Sequence, residues 1–469
     1  MLKIEAQSWC DKSGWRDSGS LMLKLFFWLR YLCKRRIVFL SVAAVALSVS
    51  LLIVVASLFT GFIAAFERSA VDAIGDIILA APSGVTFDKY PELVKRLEQT
   101  NIVEAATATL SCEGLLHVGK GNVRGVTVWG IEPGPRARVT KLKDALIRQK
   151  QMPGEPSFEV PGMPGKVGGF VGIGMVADPN ERTDEYDQKA ALESMVGQQV
   201  LVTTGTMSQF LDGAGEPKRV LVPFSISDIV FTGVYQLDES LVYVPIKTLQ
   251  EALYPDEKGS PATSVNIRLR PSVDPEMAVV QIRGLWRVFA EEELGWTTYL
   301  TGATRIQTAQ EMQHQYVVEI RKQMGVLLLV FGVISFSVVV LVFCIFYMIV
   351  RLKRKDVAIM KSCGASSAAV AWIFLGFGIT VGIMGAGLGA VLGYLITVNI
   401  NTIEGWIRAT FGLKLWQSSV YMFARIPNVV DWEWALILVG LSIAAAATGA
   451  LMPAALAART RPVEVLRYE

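Results

Sequence analysis

A phosphate-binding loop needs a glycine upstream of a Gly-Lys pair and a hydroxyl residue after it, so that backbone amides and the lysine hold the phosphates. Neither Gly-Lys pair of this chain, Gly119-Lys120 or Gly165-Lys166, has both the upstream glycine and the following hydroxyl residue. The chain is therefore expected not to hydrolyse nucleotide by itself. His117 and His314 lie far apart and read as structural, so a histidine metal site is not supported. Cys112 is the one cysteine within 67–307, which leaves that stretch no internal disulfide. Cys10, Cys33, Cys344 and Cys363 show no metal spacing. Asp238 and Glu239 sit together before a β-rich run and read as turn formers or a solvated edge. No catalytic, cofactor-binding or metal-ligating set emerges.

The sharpest local signal is the link 351–367, RLKRKDVAIMKSCGASS. Val357, Ile359, Met360 and Cys363 form an apolar patch beside Arg351, Lys353, Arg354, Lys355 and Lys361. Headgroup contact explains the cations but not the apolar residues. A short helix docking on a cytoplasmic partner explains both. Further on, Gly378, Gly382, Gly385, Gly389 and Gly393 recur at spacings that let helix backbones approach closely, with Gly376 and Gly387 off that stripe. Static packing and a contact that slides during a cycle both fit the pattern.

These residues are carried on unusually apolar elements. Apolar residues make up 52% of the chain and charged residues 19%, and the apolar ones gather into runs at 37–66, 324–350, 362–399 and 434–458. Each run exceeds the roughly 20 helical residues that cross a hydrocarbon core of about 30 Å. One run before a large mixed stretch and three after it is not the layout of a symmetric transporter or channel. The first run is too long and too far from the start for a cleavable signal. No charge lies within 362–399, which disfavours a proton-coupled carrier.

Cations set the expected topology. Lys24, Arg30, Lys34, Arg35 and Arg36 precede the first run, the 351–367 link is basic, and Arg459, Arg461 and Arg467 follow the fourth. The positive-inside bias then puts both termini and that link in the cytoplasm, with 67–307 and 400–433 outside. The net charge of +3 is too small to suggest nucleic acid. Residues 1–20 read as a loose tail.

The first two runs are longer than a membrane requires. As helix, 37–66 spans roughly 45 Å and 308–350 roughly 65 Å, so the surplus is expected to project as a two-helix stalk. Met312, Tyr316, Ile320 and Met324 mark the second helix before its apolar part begins. The external stretch reads as α+β in two subdomains. Strands are expected at 126–131, 199–203, 229–234, 241–244 and 265–269, and helices at 91–99, 247–253 and 275–293. Gly and Pro crowd 152–180, which reads as a long surface loop or mobile arm.

The run RKDVAIMKSCGASS ahead of a Gly-rich span resembles the FtsX/MacB-like permease family, with one plus three spans and a large periplasmic domain. LRYLCKRR, FTGFIAAFE, VTVWGIEP, FTGVYQLDESLVYVP, IEGWIRATFGLKLWQSSVYMFARIPNVVDW and PAALAARTRPVEVLRYE are similar to lipoprotein-releasing permeases of the LolC/LolE type. The resemblance runs from Leu29 to the end. It implies a membrane protein of four transmembrane α-helices with a large α+β periplasmic domain between the first and second, carried on a helical stalk. In chain order it implies a cytoplasmic tail (1–36), first span and stalk (37–66), periplasmic domain (67–307), stalk and second span (308–350), cytoplasmic coupling segment (351–367), third span (368–399), periplasmic link (400–433), fourth span (434–458) and cytoplasmic tail (459–469).

The resemblance further implies a bacterial inner-membrane permease that extracts lipoproteins and hands them to a periplasmic carrier. Its partners would be an ABC ATPase dimer, a second permease subunit and membrane lipid, with no nucleic acid. ATP would bind the partner, and this chain would hold no cofactor. Lys355, Asp356, Val357, Ala358, Ile359, Met360, Lys361 and Gly364 would form the ATPase-coupling segment. The first two spans would line a lipid cavity, with Phe59, Phe62, Phe66 and Met324 as lining. The phenylalanines fit a packed stalk core equally well. Two alternatives share the fold: a MacB-like efflux permease, and an FtsX-like signalling scaffold that activates a cell-wall hydrolase.

Overall fold

The computed structural model describes residues 36–459 except 120, 181–184, 207–217, 256–258, 363, 414, 418 and 420–421. Cys10, Cys33 and Cys363, the cations Lys24, Arg30, Lys34, Arg35, Arg461 and Arg467, and nearly all of both tails lie outside the described residues. The chain enters on α1 (Arg36–Ile74). Among the described residues nine strands follow: β1 (Ile77–Ala80), β2 (Val103–His117), β3 (Val123–Ile131), β4 (Gly168–Gly172), β5 (Gln199–Thr206), β6 (Lys218–Val230), β7 (Leu241–Pro245), β8 (Ser264–Leu269) and β9 (Arg305–Thr308). Among them lie α2 (Tyr90–Glu98), α3 (Pro133–Val139), α4 (Tyr235–Ser240), α5 (Ile246–Leu253) and α6 (Pro275–Glu292). The chain then forms α7 (Ala309–Leu352), α8 (Arg354–Ser362), α9 (Ser367–Val398), α10 (Ile400–Phe411) and α11 (Trp432–Ala458).

Two compact units result, one of residues up to Gly61, Ile320–Ile400 and from Asn428 on, the other of Phe62–Glu319 with Asn401–Pro427. Among the described residues four helices are long and apolar enough to cross a membrane: Phe39–Ile74, Val317–Leu352, Ser367–Val398 and Trp432–Ala458. The first unit packs Val45, Val49 and Ile53 of α1 with Phe346 of α7, Val381 of α9 and Ala450 of α11. Burial is uneven. The apolar window of the second span is 6% buried and that of the first 44%, so α7 presents most of its apolar surface outward.

In the other unit β2 serves two sheets. From Leu110 to His117 it pairs with β3, and over Gly114–His117 also with β5. The β3–β7, β7–β4, β4–β6 and β6–β5 ladders close a ring of six strands through β2, parallel only at β3–β7 and β4–β6. From Val103 to Thr109, β2 instead pairs with β8, which continues through β1 to β9 as an open antiparallel sheet. The two expected subdomains therefore take the form of a closed ring and an open sheet joined by one strand.

Several expectations need correction. The stretch 152–180 is not simply a surface loop, because 168–172 is β4, buried throughout. The glycines of β4 serve close packing rather than turning: a Cβ on Gly168 would collide with the Phe158 carbonyl oxygen. The loop before it is fastened too. The buried Gln149 amide donates to Ser157 O (2.9 Å) and accepts from Ser157 N (2.8 Å). The strand expected at 229–234 ends at Val230, since Asp238 accepts from the amides of Thr232 and Gly233 (2.7 and 3.0 Å) and withdraws them from any ladder. Asp238 and Glu239 lie on α4 rather than in a plain turn, and Asp238 is buried. β1, β2, β4 and β9 were not anticipated from the pattern.

Helix ends follow local chemistry. Gly75 at φ 89° closes α1, its amide donating to Val71 O at 2.9 Å. A Cβ there would stand 2.8 Å from Ile267 O, so the cap and the sheet both demand glycine. At the start of α7, Thr308 and Glu311 form a reciprocal box: Glu311 N donates to Thr308 Oγ1 (3.0 Å) and Thr308 N to Glu311 Oε2 (2.9 Å).

Candidate functional site

The 351–367 link contains the helix α8, whose end is built by its sequence. Gly364, at φ 96°, donates to Lys361 O (3.1 Å), and Ala365 N reaches Met360 O (3.1 Å). This paired geometry is a Schellman cap, and Met360 and Ala365 both pack against the same apolar cluster. Gly364 thus terminates the segment and needs no partner to explain it. Val357 and Ala358 are buried, and Val357 packs with Val350, Val370 and Ala457 while Met360 leans on the same cluster. Lys361 Nζ donates to Ala458 O at 2.6 Å, and Lys353 pairs with Asp356. The expected apolar patch is therefore divided: Val357 and Met360 hold α8 down, while Ile359 faces out at 53% exposure. Lys355 and Asp356 are exposed beside it.

The glycine stripe of α9 meets two helices in turn. A Cβ on Gly378 would collide with the Ala450 Cβ, and one on Gly382 would lie 3.0 Å from that of Ala446, both on α11. On Gly385, Gly389 and Gly393 it would meet Val45, Ala46 and Ile53 of α1 at 2.7, 2.6 and 3.1 Å. Close packing is what these glycines provide here. Gly376, expected to lie off the stripe, is also buried, whereas a Cβ on Gly387 would meet nothing within 4 Å.

The residues expected to line a lipid cavity separate. Phe66 is buried with Val234, Val317 and Phe423, and Phe62 stacks on Phe66 (6.5 Å) and meets Phe423 edge-on (5.3 Å). Phe59 and Met324 belong to the other unit and are half-buried. Phe423 arrives from the 400–433 link, whose residues 401–427 are sewn to Phe62–Glu319 by backbone bonds. Tyr235 N donates to Met422 O (2.7 Å), Ala424 N to Gly233 O (3.1 Å), and Val234 bridges Phe423. Sequence reading missed this strap, because a two-residue bridge has no periodicity.

Asp238 holds the turn that the strap engages, and its hydroxyl donor is Thr232 Oγ1 at 2.8 Å. Burial pushes its carboxyl from 3.8 up to about 6, against the lowering effect of the Thr232 and Gly233 hydrogen bonds. The folded chain thus holds this proton more tightly than the unfolded chain. Stability falls as pH rises from about 4 to about 6 and is level above, by about 3 kcal/mol for a shift near two units. Asp238→Asn is expected to flatten that slope in urea titrations across the window. An unchanged slope would show that Asp238 does not carry it.

A second buried polar centre also escaped the sequence reading. Arg136 on α3 is 1% exposed and donates through Nη1 to Thr109 Oγ1 and Asn266 Oδ1 (both 2.8 Å) and through Nη2 to Ala73 O (2.7 Å). Its guanidinium lies 4.9 Å from the Trp129 ring centre. Burial lowers its pKa to about 10, so it is charged at neutral pH. Asn266 Nδ2 meets Ile74 O at 2.8 Å. The last carbonyls of α1 are thus gripped by side chains from both sheets' common neighbourhood. Among the described residues no group of three His, Cys, Asp or Glu side chains converges as a metal site would require.

Residues 328–462 match the family model described as FtsX-like permease C-terminal. The lipoprotein-releasing system transmembrane protein LolC of Neisseria meningitidis is 28% identical over 465 residues, covering 95% of this chain and 99% of that protein. The corresponding LolE of Haemophilus influenzae is 25% identical over 441 residues, covering 91% and 93%. Among solved structures, the periplasmic region of MacB from Actinobacillus actinomycetemcomitans aligns with 52% of this chain and 95% of its own at 15% identity and a TM-score of 0.28. This chain is thus similar end to end to LolC and LolE, lipoprotein-releasing system transmembrane proteins, and its C-terminal part matches the FtsX-like permease model.

Proposed function

We propose that this chain is the membrane subunit of an ABC transporter that draws lipoproteins from the inner membrane and passes them to a periplasmic carrier, powered by a separate ATPase dimer. The observation that carries the coupling role is α8: a capped helix, pinned through Val357, that presents Ile359 outward beside charged Lys355 and Asp356. In this reading the spans are arranged one plus three, both termini and α8 are cytoplasmic, and 67–307 is periplasmic. ATP binds the partner, and this chain contributes no catalytic group.

The energetics call for a sheltered route. Each buried CH₂ of an acyl chain is worth about 0.8 kcal/mol, so exposing three chains to water would cost tens of kcal/mol. The space among α1, α7 and α11, lined by Val45, Val49, Val339, Val342 and Ala446, is only about 30 Å³. An acyl path therefore uses the outward apolar face of α7, completed by a second permease subunit.

The test is Ile359→Asp in the full chain with its ATPase. A charge at an apolar contact forfeits about 1.5–3 kcal/mol of burial and adds an unpaired carboxylate. ATPase co-purification and ATP turnover are expected to fall, while Lys353→Ala leaves both near wild type. Wild-type values for Ile359→Asp would reduce the link to a basic anchor.

A further inference from the structure

Within the 400–433 link, the helix α10 carries its ion pair and its large apolar side chains the wrong way round for water. On α10 the ion pair is on the covered side: Arg408 Nη1 stands 3.8 Å from Glu404 Oε2, and the two side chains are 23% and 10% exposed. The open side holds Trp406 at 62% and Phe411 at 64%, their rings edge-on at 6.1 Å. The chain continues with Leu413 at 58% and Leu415 at 56% exposure. A helix facing water places its apolar stripe inward and its charges outward. α10 does the reverse.

This orientation is held by specific bonds. The Asn401 amide donates to Ile426 O and accepts from Ile426 N, both at 3.0 Å, and Trp416 Nε1 donates to Phe423 O at 2.8 Å. The covalent context identifies what covers the open side. α10 begins at Ile400, directly after the third span ends at Val398 and Asn399, and the fourth span opens at Trp432 with Trp432 and Trp434 exposed. Both ends of the link are thereby tied to a bilayer boundary, where tryptophan rings favour the headgroup level. Helices with one apolar face lie in that plane with the face sunk toward the acyl chains.

We propose that Trp406, Phe411, Leu413 and Leu415 form a membrane-surface anchor, seated in the phospholipid leaflet beside the third and fourth spans. The anchor fixes the strap that carries Phe423, so the leaflet becomes a fixed reference for the soluble unit. It requires only that the spans cross a membrane, and it stands or falls independently of lipoprotein transport.

The test places a nitroxide at Leu413→Cys or Leu415→Cys in the permease–ATPase complex, with the five native cysteines replaced, reconstituted in phosphatidylethanolamine–phosphatidylglycerol vesicles. Asp178→Cys, whose parent side chain is 89% exposed, gives the aqueous reference. Collisions with a water-soluble nickel chelate are expected to fall several-fold below the reference while collisions with oxygen rise. Reference-level nickel collisions would mean the patch faces water. A fall in both rates together would mean a protein surface covers it. Either result overturns the anchor.

Discussion

Gly389→Leu is expected to abolish assembly of the permease, while Gly387→Leu, two positions along the same helix, leaves it intact. A Cβ at 389 would stand 2.6 Å from Ala46 O and 2.8 Å from the Val49 Cβ, so backbone as well as side chain is in the way. Backbone cannot rotate aside, and a leucine adds three more carbons. Overpacking usually costs about 1–3 kcal/mol where side chains can adjust, and more where they cannot. Gly387 faces open space. Size-exclusion profiles of the two variants co-expressed with the ATPase make the comparison. Equal recovery would refute close packing of α9 on α1.

Arg136→Met is expected to lower the unfolding free energy by about 2–4 kcal/mol, although methionine is itself suited to a buried site. The loss comes from what remains. Ala73 O at the end of α1 and one lone pair of Asn266 Oδ1 lose their donors, and the Trp129 face loses its cation. The charge has no carboxylate partner among these contacts; it is stabilised by the helix C-terminus and the ring. Arg136→Lys keeps the charge but cannot serve three acceptors from one rigid fork. Denaturation of the full chain in detergent, followed through amide exchange in β8, measures the effect. Unaltered exchange would demote the arginine to a passenger.

What the sequence revealed and concealed has physical reasons. The spans were legible because a soluble core rarely uses an uncharged apolar run of membrane length. α5 and α6 emerged close to their expected bounds because half-buried helices alternate faces visibly. β2 stayed hidden because its first half, Val103–Thr109, is mostly alanine and threonine, without the large β-branched or aromatic residues that mark a strand. β4 stayed hidden because glycine signals a turn as readily as it signals a strand too crowded for side chains. In the 351–367 link the residue types pointed to an interface, but only the helix phase separates Ile359 from Val357. Arg136 and the Phe423 strap depend on contacts between residues distant in sequence, which no local pattern records.

The way α1 and α7 join the sheet has a mechanical consequence. α1 passes through Gly75 and Asp76 into β1, and β9 runs straight into α7. β1 and β9 are antiparallel neighbours, paired from Ile77–Thr308 to Ala80–Arg305. If one helix is pushed along its axis while the other is pulled, the strands tend to slide past each other. Sliding strains every hydrogen bond of the ladder at once, whereas prising the strands apart would break them one after another. A four-residue ladder can therefore resist a thrust that would unzip it if applied sideways. Motion arriving along the helices should reach the open sheet as displacement of a stiff body, and through the shared strand β2 the ring would follow.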